Sequence, residues 1–199
     1  KVGGGFLGKS SNSPGLVQVP DSPSLALNRS LTLEGWLRVD SYGGAVIERR
    51  ASDFRWSYQL SILSTGELDF TIWNNNNSGT SANSDPLPLG QFVHFAASLD
   101  ENTSQAKMYI NGNLLREFTI TQPRNVISDA IINIGNINGI TDELSVYDRA
   151  LSSSEIQAIY NAGVSSMVAK CPAPVRPSIF TEQGATNPAV ALDSVSMVP

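Results

Sequence analysis

The sequence predicts an all-β fold, a two-sheet antiparallel jelly-roll sandwich with one short C-terminal α-helix. Three observations carry this. From Gly15 to about Tyr147 the chain is a series of short alternating apolar runs broken by turn residues, the pattern of half-buried antiparallel strands. Helical periodicity does not interleave with them, which excludes a parallel α/β sheet. A length of 199 residues with a hydrophobic fraction of 41% suffices for one sandwich of the larger kind and falls short of two ordinary domains.

The elements follow in order. Leu16-Val17-Gln18-Val19 stops at Pro20-Asp21-Ser22-Pro23. Leu31 to Val39 alternates cleanly, with Leu31, Leu33, Gly35, Leu37 and Val39 on one face, and Ala45 to Arg49 follows a Gly-Gly turn. Trp56 to Ile62 and Glu67 to Trp73 flank a Ser-Thr-Gly turn and read as a hairpin. Phe54, Trp56 and Tyr58 alternate, which places them on one face. Asn74 to Pro88 has four consecutive Asn and no periodicity, so it reads as a polar loop. Phe92 to Leu99 is a buried strand. Lys107 to Ile110 turns at Asn111-Gly112, a strong two-residue hairpin signal, into Leu114 to Phe118. Ile131 to Gly135 and Asp142 to Tyr147 complete the strands.

The helix has a clear start signal. Ser152-Ser153-Ser154-Glu155 is a capping box, in which the Ser152 hydroxyl takes the Glu155 amide and the carboxylate reaches back. Ile156, Ile159 and Tyr160 supply an apolar face, and Gly163 is expected to stop the helix in a left-handed conformation. Cys171 to Pro199 is rich in Pro, Ala, Ser and Thr. Residues 1–166 are therefore assigned to the sandwich and 167–199 to a Pro-rich linker or tail. The alternation from Ala189 to Val198 is the one strand-like run there, either an added strand or the start of a following domain.

Composition narrows function by exclusion. The net charge is −5 and no basic run exists, so nothing marks a nucleic-acid or anionic-membrane partner. No apolar stretch approaches membrane-spanning length, so no membrane insertion is expected. Charged residues make up only 16%, and Ser, Asn, Thr and Gly fill the gap, a balance common in secreted β proteins. The single cysteine, Cys171, rules out a disulfide within the chain.

Four motifs in register carry a family resemblance. They are Thr32-Leu33-Glu34-Gly35-Trp36-Leu37, Phe92 to Asp100, Tyr109-Ile110-Asn111-Gly112, and Gly139 through Ser152 to Gly163 with its Asp142-Glu143 and Arg149-Ala150-Leu151. Together, over roughly residues 5 to 165, the chain resembles laminin G-like domains of the concanavalin A-like lectin/glucanase superfamily. Phe92 stands where the family usually has Trp, and Phe6-Leu7-Gly8 lacks the Asp often present there. The resemblance implies an extracellular or cell-surface location, as a module of a larger, bacterial protein with neighbouring domains on the same polypeptide. It also implies a structural calcium ion at Asp142, completed by backbone carbonyls from the Gly-rich N-terminal segment. Hard oxygen donors suit that ion, and the competing reading is a plain turn residue.

Catalysis finds little material. His94 is the only histidine and is expected to be a hydrogen-bonded, partly buried structural residue. Retaining glycosidases need two carboxylates ~5 Å apart, and superfamily relatives carry them as E-x-D-x-x-E. Here Glu67 and Asp69 share a face, but Ile72 occupies the third place. Asp142 and Glu143 point to opposite faces. The chain is therefore read as no enzyme but a binding module for a carbohydrate or an extracellular protein; an architectural spacer is the alternative. The candidate ligand residues are Asp53, Arg55, Trp56, Trp73, Asn74 and Asn75. Sugar recognition wants an aromatic platform beside amide and carboxylate groups, and the hairpin brings these to one rim. In the bland reading both tryptophans are ordinary half-buried sheet residues.

Overall fold

The computed structural model describes residues 8–9, 16–22, 30–127 and 129–170. Its strands are β1 (Gly8–Lys9), β2 (Val17–Val19), β3 (Leu31–Arg50), β4 (Trp56–Ile62), β5 (Glu67–Trp73), β6 (Gly79–Pro86), β7 (Phe92–Asp100), β8 (Gln105–Ile110), β9 (Asn113–Thr119) and β10 (Ile131–Tyr147), followed by α1 (Ser153–Lys170). Every ladder between them is antiparallel.

Two long strands make the sandwich. The first part of β3, Leu31 to Arg38, pairs with β7, and its last part, Gly44 to Arg50, pairs with β4. β10 runs alongside in reverse, pairing with both parts and with β1 and β2. One layer is therefore β6-β5-β4 with the end of β3, the start of β10 and β2. The other is β9-β8-β7 with the start of β3, the end of β10 and β1. The strands cross between layers where the backbones nearly touch. A Cβ on Gly44 would lie 2.1 Å from the Asn136 carbonyl oxygen, and Gly44 has φ +102°, so only glycine fits. The sequence suggests four separate strands here; the crossing joins them into two.

The core lies between the layers. Leu33, Phe95, Ala97 and Met108 from one layer meet Ile47, Leu60, Phe70 and Ile132 from the other. Asn111 and Gly112 both have positive φ and join Ile110 to Asn113, the primed turn that Asn-Gly favours.

Three expectations are corrected. Asn74 to Pro88 is not all loop, because Gly79–Pro86 forms β6 on β5. An edge strand held by one ladder and facing water needs no apolar alternation. Tyr58 and Trp56 do not share a face. Arg49 pairs with Tyr58 and Arg50 with Trp56, so Ser57 is an extra bulge residue. Tyr58 turns into the core with 0% exposure, where burial pushes its hydroxyl pKa to about 12 despite the neighbouring Arg49 and Arg124. Third, the helix does not stop at Gly163 but continues to Lys170.

The start of α1 is as expected. The Glu155 amide donates to Ser152 Oγ at 3.3 Å, and the Ser152 amide to Glu155 Oε2 at 2.8 Å. Ile156 and Ile159 pack on Ala96, Tyr109 and Leu151, covering part of the outer face of the β7 layer. Tyr160 stacks on Trp36 at 5.8 Å. Cys171 and the Ala189 to Val198 run lie outside the described residues.

Candidate functional site

The Ser57 bulge that sends Tyr58 inward sends Trp56 outward, beside Trp73 at the end of the partner strand. The indoles stack at 5.9 Å between centroids and 29° between planes. Both are half-buried. Two groups that sequence reasoning did not include extend the stack. The Arg50 guanidinium sits 5.4 Å from the Trp56 ring centroid and 5.9 Å from that of Phe54, within cation–π range. Arg50 Nε also pairs with Glu48 Oε1 at 3.1 Å. Phe54 is 66% exposed at φ +64°. A bulky residue in that conformation is strained and needs a frame to hold it.

The frame comes from both loops. The Phe54 amide donates to the Ala51 carbonyl at 3.2 Å, and the Ala51 amide to the Arg55 carbonyl at 2.9 Å. From the Asn run, Asn77 Oδ1 accepts the Trp56 amide at 3.4 Å and Nδ2 donates to the Phe54 carbonyl at 3.5 Å. The alternation around Phe54 offered a signal for its neighbourhood. The positive φ of Phe54 and the Asn77 bridge depend on tertiary contact.

The proposed polar fringe divides. Arg55 pairs with Asp53 at 2.7 Å and Asp129 at 3.5 Å, and this guanidinium holds the Asp53 carboxyl below the usual carboxylate range. Asn74 is a loop-builder, its Oδ1 accepting the Asn76 and Ser78 amides at 2.9 and 3.1 Å. Asn75 is exposed. The structure thus places Asp53, Arg55, Trp56, Trp73, Asn74 and Asn75 in the two loops and strand ends that meet at this corner, with Trp56 and Trp73 in direct contact.

The other candidates lie elsewhere. His94 is fully buried rather than partly so, because α1 lies over it. Its Nε2 is 3.4 Å from Glu34 Oε2, its ring is edge-on to Trp36 at 5.3 Å, and Glu34 Oε1 accepts the Tyr147 hydroxyl at 3.2 Å. Asp69 accepts from Thr71 Oγ1 at 2.5 Å, and Glu67 accepts from the Thr65 hydroxyl, so neighbours two residues away in the chain occupy both. Asp142 Oδ1 accepts the Glu143 amide at 2.9 Å. Thr141 pairs with Gly8, which brings β1 alongside. Among the described residues no group of three or more His, Cys, Asp or Glu clusters as metal ligands do. Residues 3–7, whose backbone carbonyls were expected to complete a calcium site at Asp142, lie outside the described residues. No helix among the described residues is long and apolar enough to cross a membrane.

The model for the concanavalin A-like lectin/glucanases superfamily, in its laminin G form, matches residues 11–157. The chain belongs to this superfamily. Among curated proteins none matches this laminin G-like domain in sequence. Solved structures share its fold. A native heptameric SAP-like pentraxin from Limulus polyphemus is 16% identical with a TM-score of 0.58, over 78% of this chain and 80% of that one. The receptor binding domain of botulinum neurotoxin C/D mosaic serotype is 14% identical at 0.65, over 81% and 47%. The binding domain of botulinum neurotoxin DC in complex with SialylT is 18% identical at 0.63, over 78% and 41%. The domain thus spans less than half of the neurotoxin chains.

Proposed function

We propose that this laminin G-like domain is a non-catalytic, carbohydrate-binding module of an exported protein, with its site at the Trp56–Trp73 corner. The observation that carries the reading is the aromatic layer Trp73-Trp56-Arg50-Phe54, whose outermost ring is 66% exposed. An exposed ring offers its face to the C–H side of a sugar. Asp53, Arg55 and Asn75 beside it offer carboxylate, guanidinium and amide groups to the hydroxyls. Holding Phe54 at positive φ costs free energy, which the Asn77 bridge offsets, and strain of this kind concentrates at binding sites. Neurotoxin binding domains of the same fold lend the ligand class support, one having been solved with SialylT.

A glycan array probed with the fluorescently labelled chain tests this. The expected result is binding to a defined glycan set that Phe54→Ala and Trp56→Ala each weaken at least about tenfold, the scale of one lost contact worth ~1.4 kcal/mol. Undiminished binding in both variants would exclude this corner. No bound glycan at all would exclude carbohydrate and leave a protein ligand.

A further inference from the structure

Helix α1 covers only part of the β7 layer. It begins at Ser153, and Leu151 just before it is tied to the sheet at Thr32, whose hydroxyl accepts the Leu151 amide at 2.9 Å and donates to the Arg149 carbonyl at 2.8 Å. Thr32 is in the cross-strand row Thr32-Ser98-Lys107. Beside this row the sheet is uncovered, and a cleft of about 550 Å³ opens, a size typical of small-ligand sites. Its lining comes from β7 and β8 (Ser98, Gln105, Lys107), the turn between them (Thr103) and the start of the helix (Ser152, Ser153). None of these residues belongs to the tryptophan corner.

Ser98 is a buried polar residue of that lining. It is 3% exposed, and its hydroxyl is not among the buried polar atoms left without a partner, so the little surface it has opens into the cleft. Nearby polar groups are satisfied in part: Tyr109 shares a hydrogen bond with Ser153 Oγ at 3.1 Å, and Gln105 Nε2 donates to Thr119 Oγ1 at 3.0 Å, leaving the amide oxygen. The Ser153 and Ser154 amides precede the capped Glu155 amide in the first turn of an 18-residue helix, so they have no intrahelical acceptor.

The lining selects the chemistry of the ligand. Hydroxyls, an amide and the carboxylates of Asp100 and Glu155 recur around it beside the apolar Ala150 and Leu151, a mixed lining that suits a molecule with both C–H and hydroxyl faces. Charge does not select an ion. Lys107 is paired with Glu117 at 3.3 Å, and Asp100 Oδ1 accepts from Ser30 Oγ at 3.2 Å and the Asn102 amide at 3.0 Å. A neutral molecule with many hydroxyls fits best.

We infer that this cleft is a second saccharide subsite, which takes a neutral sugar through hydrogen bonds with Ser98, Gln105 and the first turn of α1. It shares its ligand class with the reading of the chain as a carbohydrate-binding module but none of its residues. Two subsites, one on the outer face of each layer, let one domain engage two glycan chains or two segments of one, with the gain in avidity that linkage brings.

The test is an amide chemical-shift titration of the full chain with lactose, maltose, cellobiose and chitobiose. Each is taken to about 10 mM, enough to load most of a site whose Kd is on the order of 1 mM. At least one sugar should shift the Ser98, Gln105, Lys107 and Ser153 amides. Ser98→Ala should weaken that response about tenfold, with Gln105→Leu as a second variant that leaves the β7 face intact, while Trp56→Ala leaves it unchanged. Shifts confined to Phe54, Trp56 and Trp73 would overturn the cleft and uphold the corner. Shifts confined to the cleft would do the reverse. Cleft shifts undiminished in both Ser98→Ala and Gln105→Leu would overturn the assignment of these groups as hydrogen-bond partners of the sugar.

Discussion

Replacing Gly163 by Ala should destabilise the domain, although the same change in an open helix stabilises it. Gly163 lies inside α1, and a Cβ there would stand 2.8 Å from the Trp36 indole Cζ2 and Nε1 and 3.0 Å from Cε2. Helix propensity favours alanine by about 0.8–1.0 kcal/mol. Overpacking a filled site costs about 1–3 kcal/mol, and Trp36 has little room to retreat. It is 5% exposed, stacked on Tyr160 and edge-on to the fully buried His94. The net expectation is a loss of about 1 kcal/mol, which lowers Tm by about 2–4 °C in a domain of this size. Thermal melting by circular dichroism reads it. In a Trp36→Phe background the smaller ring leaves space, so Gly163→Ala should there raise Tm, a coupling that a double-mutant cycle isolates. A higher Tm for Gly163→Ala alone would show that the indole yields at no cost. A penalty that persists with Phe at position 36 would show that backbone conformation, not contact with Trp36, demands glycine.

Four further outcomes are expected. The Arg149 guanidinium and the Ser152 cap hold the Glu155 carboxyl at about 2, below its ordinary 4.5; a depressed carboxylate pKa stabilises the fold above about 4.5, and that stabilisation is lost as pH falls towards 2. The Tm advantage of the wild type over Glu155→Gln should therefore be full at neutral pH and shrink below 4.5, and a pH-independent difference would contradict it. Calcium at Asp142 is tested by melting with and without EDTA: a lowered Tm that Asp142→Ala abolishes supports the ion, and an unchanged melt leaves Asp142 as the cap of the Glu143 amide. Truncation after Lys170 should keep the cooperative melt, whereas truncation after Ala150 removes Ile156, Ile159 and Tyr160, each worth roughly 1.5–3 kcal/mol of burial, and should abolish it; unfolding by the first truncation would place the tail inside the sandwich. The chain should hydrolyse neither laminarin nor xylan, and turnover lost in Glu67→Gln or Asp69→Asn would refute the non-catalytic reading.

Much of this was legible one residue at a time. Leu31, Leu33, Leu37 and Val39 alternate because one face of their strand meets the core, and alternation is a local property of the pleat. Asn111-Gly112 and Ser152 with Glu155 announce a turn and a helix start through chemistry contained within four residues. The laminin G-like family was readable for the same reason, since its motifs are strand and turn signatures in fixed order.

The rest was decided by contact between segments far apart in sequence. Strand β6 exists because β5 offers it a ladder, and a polar edge strand leaves no apolar period to read. The Ser57 bulge reverses the faces of Trp56 and Tyr58, and a one-residue slip of that kind is set by pairing with β3. The helix runs past Gly163 because that glycine serves close approach to Trp36, 127 positions earlier in the numbering of the chain. The candidate site follows the same division. Sequence alone determined that Trp56, Trp73 and the Asn run sit near one hairpin end, since the hairpin is local. Only the tertiary structure decided that the indoles stack, that Arg50 and Phe54 extend them, and that Ser98 lines a cleft on the opposite layer, because each depends on side chains brought together by packing.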